Sequence, residues 1–285
     1  MAIVKRRYVS ALLIVFVVIV GSSAAVLADG TRDSLRLKYE AHWGDIPLGD
    51  VAVTLREAAD RYAIQGSAVA RGPMTLLFDW SGTAETQGRR RRGLRLPTSH
   101  VSTGSSDDGE RRTTVDWKGA GLPLTTVVPP PDPEEVTPVP PASIAGTVDP
   151  LTVLLKTLDG LAKTGRCEGT ARIYDGRRRY DIVIEHLGNG QLKADRPGAY
   201  AGPAVRCRLY AKKIGGFYRD ATEWSSDEDE IERIAWIARL GNGLWVPVRA
   251  EVSAPLGNVV MRMITEPAKS AKKSQKPAVA TDQHQ

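Results

Sequence analysis

Apolar and polar residues alternate along most of this chain, and a period of two predicts β-strands with one apolar face each. The first such stretch begins at Leu35 and ends at Trp43, where residues such as Arg36 and Lys38 separate the apolar positions. The same alternation recurs over residues 51–55, 180–185, 234–240 and 244–252. The pattern therefore predicts a mainly β protein with half-buried strands.

Turn signals separate these strands, because Asx-Gly pairs supply the positive φ angles of tight hairpin turns. They occur at Asp175-Gly176, Gly188-Asn189-Gly190, Gly241-Asn242-Gly243 and Gly257-Asn258. The C-terminal half is therefore predicted to be a chain of antiparallel hairpins. Residues 44–47 predict a further turn, with a bulge or bend at Gly49. Pro247 lies inside a predicted strand and indicates an edge strand or a bulge.

One segment, residues 149–163, has helical spacing instead. Asp149 suits the N-cap, Pro150 suits the first helical position, and Gly165 suits the end of the helix. Between them one apolar stripe contains Leu151, Leu154, Leu155, Leu158, Leu161 and Ala162. Such a stripe is typical of a helix that packs on the rest of the protein.

Two segments have no apolar period. Residues 129–141 contain seven prolines among 13 residues and predict an extended segment. It either links two domains or forms a long loop between two parts of one sheet, and we predict the loop, within a single domain over residues 29–265. Residues 266–285 have almost no large apolar side chain and predict a disordered basic tail.

The charge of the chain lies mostly at its ends. The net charge is +6, of which residues 1–28 carry +3 and residues 266–285 carry +2. The nearly neutral body gives little support to nucleic-acid binding, so no nucleic-acid partner is predicted. A hydrophobic content of 42% with 25% charged residues is that of a globular protein and excludes collagen, coiled coil and full disorder.

Residues 1–28 have the three parts of a secretory signal. Lys5, Arg6 and Arg7 precede an apolar run, and Val26-Leu27-Ala28 precedes a cleavage site at Asp29. Cleavage would place the protein in the periplasm with no integral membrane domain. An uncleaved membrane anchor is the alternative, because residues 9–28 supply the roughly 20 apolar residues that a span needs.

Export also determines which oxidation state is expected for the two cysteines, Cys167 and Cys207. A lone pair in an oxidising compartment predicts a disulfide, worth about 4 kcal/mol in the chain-entropy model. Free thiols are the alternative. The chain has neither a Cys-x-x-Cys motif nor a Cys/His spacing typical of metal sites.

The usual catalytic motifs are missing, so no enzymatic activity, catalytic residue, metal site or cofactor is predicted. The sequence contains neither G-x-S-x-G, H-E-x-x-H, G-x-G-x-x-G nor a phosphate-binding loop. An envelope hydrolase remains a less favoured alternative. It would need a cleft with a serine or carboxylate within hydrogen-bond reach of His42, His100 or His186.

Three charged runs have two interpretations each. Arg89–Arg92 resembles a hairpin tip and Arg177–Arg179 follows a turn signal, so each run either is solvated or meets phosphate or lipid headgroups. The acidic run Asp227–Glu232 either binds Ca²⁺ or is a surface loop. We interpret it as a surface loop, because the spacing of an EF-hand calcium site is absent.

Aromatic residues on predicted strands are the candidates for ligand binding. Tyr39 shares a strand face with Trp43, while Trp236 and Trp245 lie on later strands. Such residues either fill the core or, in a curved sheet that fails to close, line a cavity for an apolar ligand.

Several short motifs in this order resemble an exported bacterial family, domain of unknown function 3108 (DUF3108). They are Trp43-Gly44-Asp45-Ile46-Pro47-Leu48-Gly49, Asp149-Pro150-Leu151-Thr152, Asp175 to Tyr180, and Trp236 followed by Trp245-Val246-Pro247-Val248-Arg249. The first motif departs from the family pattern Trp-Gly-Gly-Ile-Pro-Val-Gly at Asp45 and Leu48. The resemblance covers roughly residues 35–265, and similar alphaproteobacterial members also carry two cysteines around the Asp-Gly turn.

The resemblance implies a strongly curved antiparallel sheet or open half-barrel with one packed helix, similar to periplasmic lipoprotein carriers. It brings no catalytic residues. We therefore expect a non-enzymatic periplasmic envelope protein that binds a lipid or lipidated protein in its concave face. The alternative is a structural module that supports envelope integrity, with its concave face filled and an envelope protein partner bound outside.

Overall fold

The computed structural model describes residues 34–76, 79–119, 121–219, 231–254 and 257–265. These residues form strands, one α-helix and short 3₁₀ turns at Gly72–Leu76 and Pro141–Ser143. The elements are β1 (Leu35–Trp43), β2 (Ile46–Glu57), β3 (Arg61–Ala70), β4 (Trp80–Arg91), β5 (Leu94–Ser106), β6 (Gly109–Asp116), β7 (Leu124–Val128), α1 (Pro150–Thr164), β8 (Gly169–Tyr174), β9 (Arg179–Leu192), β10 (Gly202–Gly215), β11 (Arg233–Arg239), β12 (Trp245–Ala254) and β13 (Gly257–Met263).

All of these strands belong to one antiparallel sheet of 13 strands, in the order β7-β6-β5-β4-β3-β2-β1-β13-β12-β11-β10-β9-β8. Strands from the two sides of the proline-rich segment meet where β1 pairs with β13. β7 and β8 are the edges, and no backbone ladder joins them within the described chain. The predicted mainly β fold, an open antiparallel sheet with one helix, is confirmed.

The sheet curls around α1, because the helix packs against strands that lie far apart in the sheet order. Leu155 contacts Tyr62 and Ile64 of β3, whereas Leu161 packs with Val205 of β10. Six strand spacings separate β3 from β10, which would be about 29 Å in a flat sheet. A helix about 10 Å across can touch both strands only if the sheet is strongly curved.

The ends of α1 follow the predicted capping residues. The side chain of Asp149 accepts a hydrogen bond of 2.9 Å from the backbone N–H of Thr152, and Pro150 opens the helix. Gly165 ends it in the left-handed conformation, at φ 72°, and its N–H donates to Leu161 O. Both predicted caps are confirmed, and the helix extends one residue past its predicted end.

Side chains of the β8–β9 turn span the gap between the two edges of the sheet. Arg177 donates from Nε to Thr113 Oγ1 of β6 at 3.0 Å and from Nη2 to the carbonyl of Val128 at 2.9 Å. Gly176 lies so close to β6 that a Cβ there would be 2.3 Å from Thr113 Cγ2. The edges therefore meet through side chains rather than through a ladder.

Neither interpretation of Arg177–Arg179, a solvated turn or a headgroup site, agrees with the structure. Arg179 is only 2% exposed, and its guanidinium donates to the carbonyl of Ser143 at 2.8 Å. Arg178 pairs with Asp175 of the same turn at 3.1 Å. All three arginines therefore donate hydrogen bonds to backbone or side-chain acceptors of the protein itself.

The predicted turn at Gly188-Asn189-Gly190 is wrong, because β9 continues through it. Gly188 has φ 96° and lies at a bulge, where the ladder to β10 slips by one residue beside Leu187. Gly190 is required for packing, since a Cβ there would lie 2.7 Å from the ring of Trp236. Gly188 therefore permits a bulge, and Gly190 permits the ring of Trp236 to pack closely on the backbone. A sequence pattern does not distinguish these two roles from a turn.

The other turn and bulge predictions are largely confirmed. Pro247 is at a bulge, beside a register slip between β11 and β12, and β12 is an interior strand. Gly49 follows a similar slip between β1 and β2. Arg92 and Gly93 lie at the tip between β4 and β5, as expected for Arg89–Arg92. Gly257 begins β13 opposite Ala254 and Asn258 follows it in the strand, so the predicted turn at Gly257-Asn258 is wrong.

Three predictions concern residues outside the described ranges. They are the signal segment 1–28, the tail 266–285 and most of the acidic run 227–232. Among the described residues, no helix combines the length and the apolar character needed to cross a bilayer.

Candidate functional site

A strip of apolar side chains lies across β2, β1 and β13. Directly opposite residues of an antiparallel pair share one face of the sheet. Leu37 lies opposite Val53, and Tyr39 lies between Val51 and Met263. We define the apolar strip as the side chains of Leu35, Leu37, Val51, Val53 and Met261 around Tyr39.

The strip is on the face of the sheet that contacts the helix. Val53 packs both with the core cluster around Tyr39 and with the cluster that contains Leu155 of α1. The residues that alternate with the strip on β1 include Arg36 and Lys38, and both are exposed on the opposite face. The strip is therefore a continuation of the concave surface beyond the part that α1 covers.

Exposure distinguishes the strip from the rest of the concave surface. Tyr62 and Ile64 of β3 are 3% and 1% exposed, because α1 covers them. No residue of β2 is buried, although β2 lies in the interior of the sheet between β1 and β3. Apolar side chains on the concave side of an interior strand therefore remain half-exposed.

Tyr39 forms the buried floor of the strip. Its hydroxyl donates to the carbonyl of Pro247 at 2.9 Å, and the residue is 4% exposed. Burial raises the pKa of Tyr39 well above its ordinary value, so the phenol stays neutral. The floor is uncharged, and its one polar atom already has a partner, so the strip offers an apolar surface.

The other predicted aromatic residues lie in three different surroundings outside the apolar strip. Trp236 packs half-buried against the same cluster as Tyr39, while its indole N–H donates to Glu251 at 3.0 Å and Arg206 lies over its ring at 5.2 Å. Trp245 packs in a different cluster, with Leu161 of α1. Trp43 lies half-buried at the end of β1, opposite Val259 of β13.

An ion-pair network fixes β12 and β13, the latter a strand of the strip. Arg249 and Arg262 lie directly opposite each other, and Asp195 binds both guanidinium groups at 2.8 and 2.7 Å. The hydrogen bond from Arg262 is the main cause that lowers the pKa of Asp195 to about 2. Because like charges on opposite residues repel, this carboxylate makes the pairing of the two strands favourable.

The predicted disulfide is confirmed. It joins Cys167, just after α1, to Cys207 of β10, and each cysteine is 1% exposed. Leu161 packs against both residues. The bond therefore fixes the C-terminal end of the helix to the sheet, in the part of the concave surface that α1 fills.

A histidine, a carboxylate and a hydroxyl do come together beneath the start of α1. Thr86 Oγ1 lies 2.6 Å from Asp149 Oδ1 and 2.8 Å from His100 Nδ1. All three residues are 0% exposed, so no substrate reaches them while α1 is in place. The cluster binds the N-cap of the helix to β4 and β5. Among the described residues, no group of three or more potential ligands could hold a metal ion.

The sequence pattern identified the apolar alternation of β1 and β2 but pointed to the aromatic residues as the ligand-lining candidates. Nothing in the pattern identified Val53 or Met261 as candidates for ligand binding, because their exposure depends on where α1 ends. The buried cluster was missed for another reason, since His100 and Asp149 are far apart in sequence and meet only through the curl of the sheet.

Comparisons with known proteins agree with this architecture. The family model described as "Protein of unknown function (DUF3108)" matches residues 38–264. The chain is similar to the crystal structure of a beta-barrel-like protein of domain of unknown function DUF1849 from Brucella abortus. The TM-score is 0.50 at 11% identity, covering 80% of this chain and 94% of that chain. No curated protein matches the sequence significantly. The likeness to the Brucella protein concerns the fold alone.

Proposed function

Because the chain belongs to the DUF3108 family of proteins of unknown function, we propose its function from its own geometry. It is a periplasmic, non-enzymatic envelope protein that binds the acyl chain of a lipid or lipidated protein on the apolar strip. The signal-like segment 1–28 supports the location. The half-exposed strip of Leu35, Leu37, Val51, Val53 and Met261 supports the binding.

The energetics favour an apolar guest. Each 100 Å² of apolar surface removed from water contributes about 2.5 kcal/mol, and the partly buried side chains of the strip leave some of that contribution unrealised. The uncharged floor at Tyr39 offers no partner to a polar group. A hydrocarbon chain would cover Val53 and its neighbours without burying an unpaired polar atom.

Fluorescence titration with cis-parinaric acid, a natural polyene fatty acid, tests the proposal. The protein should enhance its fluorescence saturably, and Val53→Asp should weaken the affinity at least tenfold, because a carboxylate would be buried against the acyl chain. Val69→Asp is the matched control, since Val69 lies on β3 and is 41% exposed. It should bind like the wild type. Absence of saturable binding, or equal loss in both variants, would contradict the proposal.

The second candidate is a structural module that supports envelope integrity. The observation that favours it is α1 itself, which already fills much of the concave surface through Leu155 and Leu161. This alternative expects no binding of parinaric acid, and it expects delipidated protein to melt at the same temperature as protein purified without delipidation.

A further inference from the structure

The β4–β5 hairpin ends in arginines whose side chains divide between the two faces of the sheet. On one face, Arg95 is 5% exposed and donates from Nε to Asp159 of α1 at 2.6 Å and from Nη1 to Glu57. Arg90, opposite Arg95, also lies 3.8 Å from Glu57. These two arginines are neutralised by acids of the protein.

The other face of the hairpin combines arginines with exposed leucines. Arg91 lies opposite Leu94, and Arg89 lies opposite Leu96 on β5 and opposite Arg61 on β3. The leucines are 59% and 44% exposed. We call these five residues the arginine–leucine face. Lys163 at the end of α1 brings a further positive charge close to the turn at Gly93.

The charges of this face are not balanced from within the protein. Arg61 and Arg89 are directly opposite each other, an arrangement that is unfavourable without a counter-ion. Within the described residues, none of Arg61, Arg89 and Arg91 has an ion pair. This differs from the pair Arg249 and Arg262, where Asp195 supplies the counter-charge. An anion from outside the protein would therefore stabilise the arginine–leucine face.

Two exposed leucines beside unpaired arginines match one anionic partner better than others. The interface of an anionic bilayer offers phosphates for guanidinium groups and an acyl boundary for leucines, whereas a soluble polyanion offers only the charges. Arginine side chains can reach phosphates while their stems lie along apolar surface. We propose that the arginine–leucine face docks the protein on the surface of an anionic phospholipid bilayer.

The docking surface is at the same end of the sheet as part of the apolar strip. Leu55 lies opposite Leu35, and a short turn after Glu57 leads to Arg61. A protein held by this face would have that end of the strip nearest the lipid. The docking itself does not depend on the proposed function, because it uses the outer face and requires no ligand on the strip.

Vesicle flotation of the protein purified after export tests the proposal, with phosphatidylglycerol/phosphatidylethanolamine vesicles and pure phosphatidylcholine vesicles. Arg89→Glu with Arg91→Glu should reduce partitioning to anionic vesicles at least about tenfold, since each basic residue contributes roughly fivefold. Its matched control is Arg111→Glu with Arg112→Glu, an equal charge change at two exposed arginines of β6. That control should stay within twofold of the wild type.

A second pair of variants separates a bilayer from a polyanion. Leu94→Ser with Leu96→Ser should also weaken partitioning several-fold, whereas Leu122→Ser with Leu124→Ser, at leucines of similar exposure, should not. Arg89→Lys with Arg91→Lys keeps the charge and should retain most of the binding. Unchanged flotation of the arginine or the leucine variant would overturn bilayer docking, as would equal losses in the controls. Circular dichroism confirms that each variant is folded.

Discussion

The concave surface has two parts that share one pattern of apolar alternation and differ in what covers them. Around Leu155 and Leu161, the helix and the sheet bury each other. Over β2, β1 and β13, the apolar strip remains half-exposed. The first part contributes its apolar free energy to folding, and in the proposed function the second part keeps some of it for a ligand. Mutations of the same kind should therefore have opposite consequences in the two parts.

The largest expected effect is in the filled part, where the disulfide holds α1. Replacing Cys167 and Cys207 together by serine should lower the free energy of unfolding by about 4 kcal/mol, because the unfolded chain regains the entropy of the open loop. Urea denaturation measures this loss. Wild-type protein with reductant is the control and should unfold at a similar urea concentration. A loss below about 1 kcal/mol would mean that this part does not depend on the bond.

Truncation in the two parts compares them directly. Leu155→Ala, at a residue 2% exposed, should lower the free energy of unfolding by about 3 kcal/mol and leave the affinity for parinaric acid unchanged. Val53→Ala should lower the free energy of unfolding by about 1 kcal/mol or less and should weaken the affinity for parinaric acid. Denaturation and titration of the same two variants measure both effects. Equal destabilisation would show that the strip is as well covered as the helix contact.

The ion pairs of Asp195, which join the two strands β12 and β13, should make the free energy of unfolding depend on pH. The pKa of Asp195 is lowered from 3.8 to about 2 in the folded state, so its contribution is present above pH 4 and is lost as the pH falls toward 2. Asp195→Asn should lower the free energy of unfolding at neutral pH by about 1 kcal/mol, allowing for solvent screening.

Thermal unfolding between pH 2 and pH 7 measures this dependence, and Asp195→Asn should flatten the acid limb. The matched control is Asp45→Asn, because Asp45 pairs with Arg196 but is fully exposed. The control should keep the wild-type profile. An unchanged acid limb in Asp195→Asn would refute the role of this carboxylate.

The smallest expected effect concerns His42 of β1, which is 8% exposed. Burial, followed by the charge of Arg196, lowers the pKa of His42 below its ordinary value of 6.5. The folded state therefore resists protonation, so stability is full above the ordinary pKa and declines as the pH falls below it. His42→Gln should remove this decline, which unfolding measured from pH 5 to pH 7 would reveal. If His42→Gln kept the wild-type dependence of stability on pH, His42 would not be the cause of the decline.

Local chemistry explains why some of the fold was predictable. Asp149, Pro150 and Gly165 act within a few residues of their own positions, so their capping roles follow from the sequence. The alternation of Leu35 to Trp43 likewise needs only the pleat of one strand. Strands β3 to β7 were not predicted individually, because threonines and glycines such as Thr83 and Gly104 weaken their alternation.

Features that depend on long-range placement were not predictable in this way. Gly188 and Gly190 resemble a turn, and their true roles depend on the register of β10 and on the ring of Trp236. The burial of Arg179 depends on how far the sheet curls. The exposure of Val53 depends on the length of α1 and on the direction in which it crosses the sheet, which no local pattern contains.

The central claim is that an acyl chain lies on the apolar strip. A crystal structure with 9,10-dibromostearic acid tests this most directly, because bromine gives an anomalous signal that locates the chain. The account predicts bromine within van der Waals contact, about 4 Å, of Val53 and Met261. A strip covered by the protein's own residues, or bromine bound only on the outer face, would contradict it.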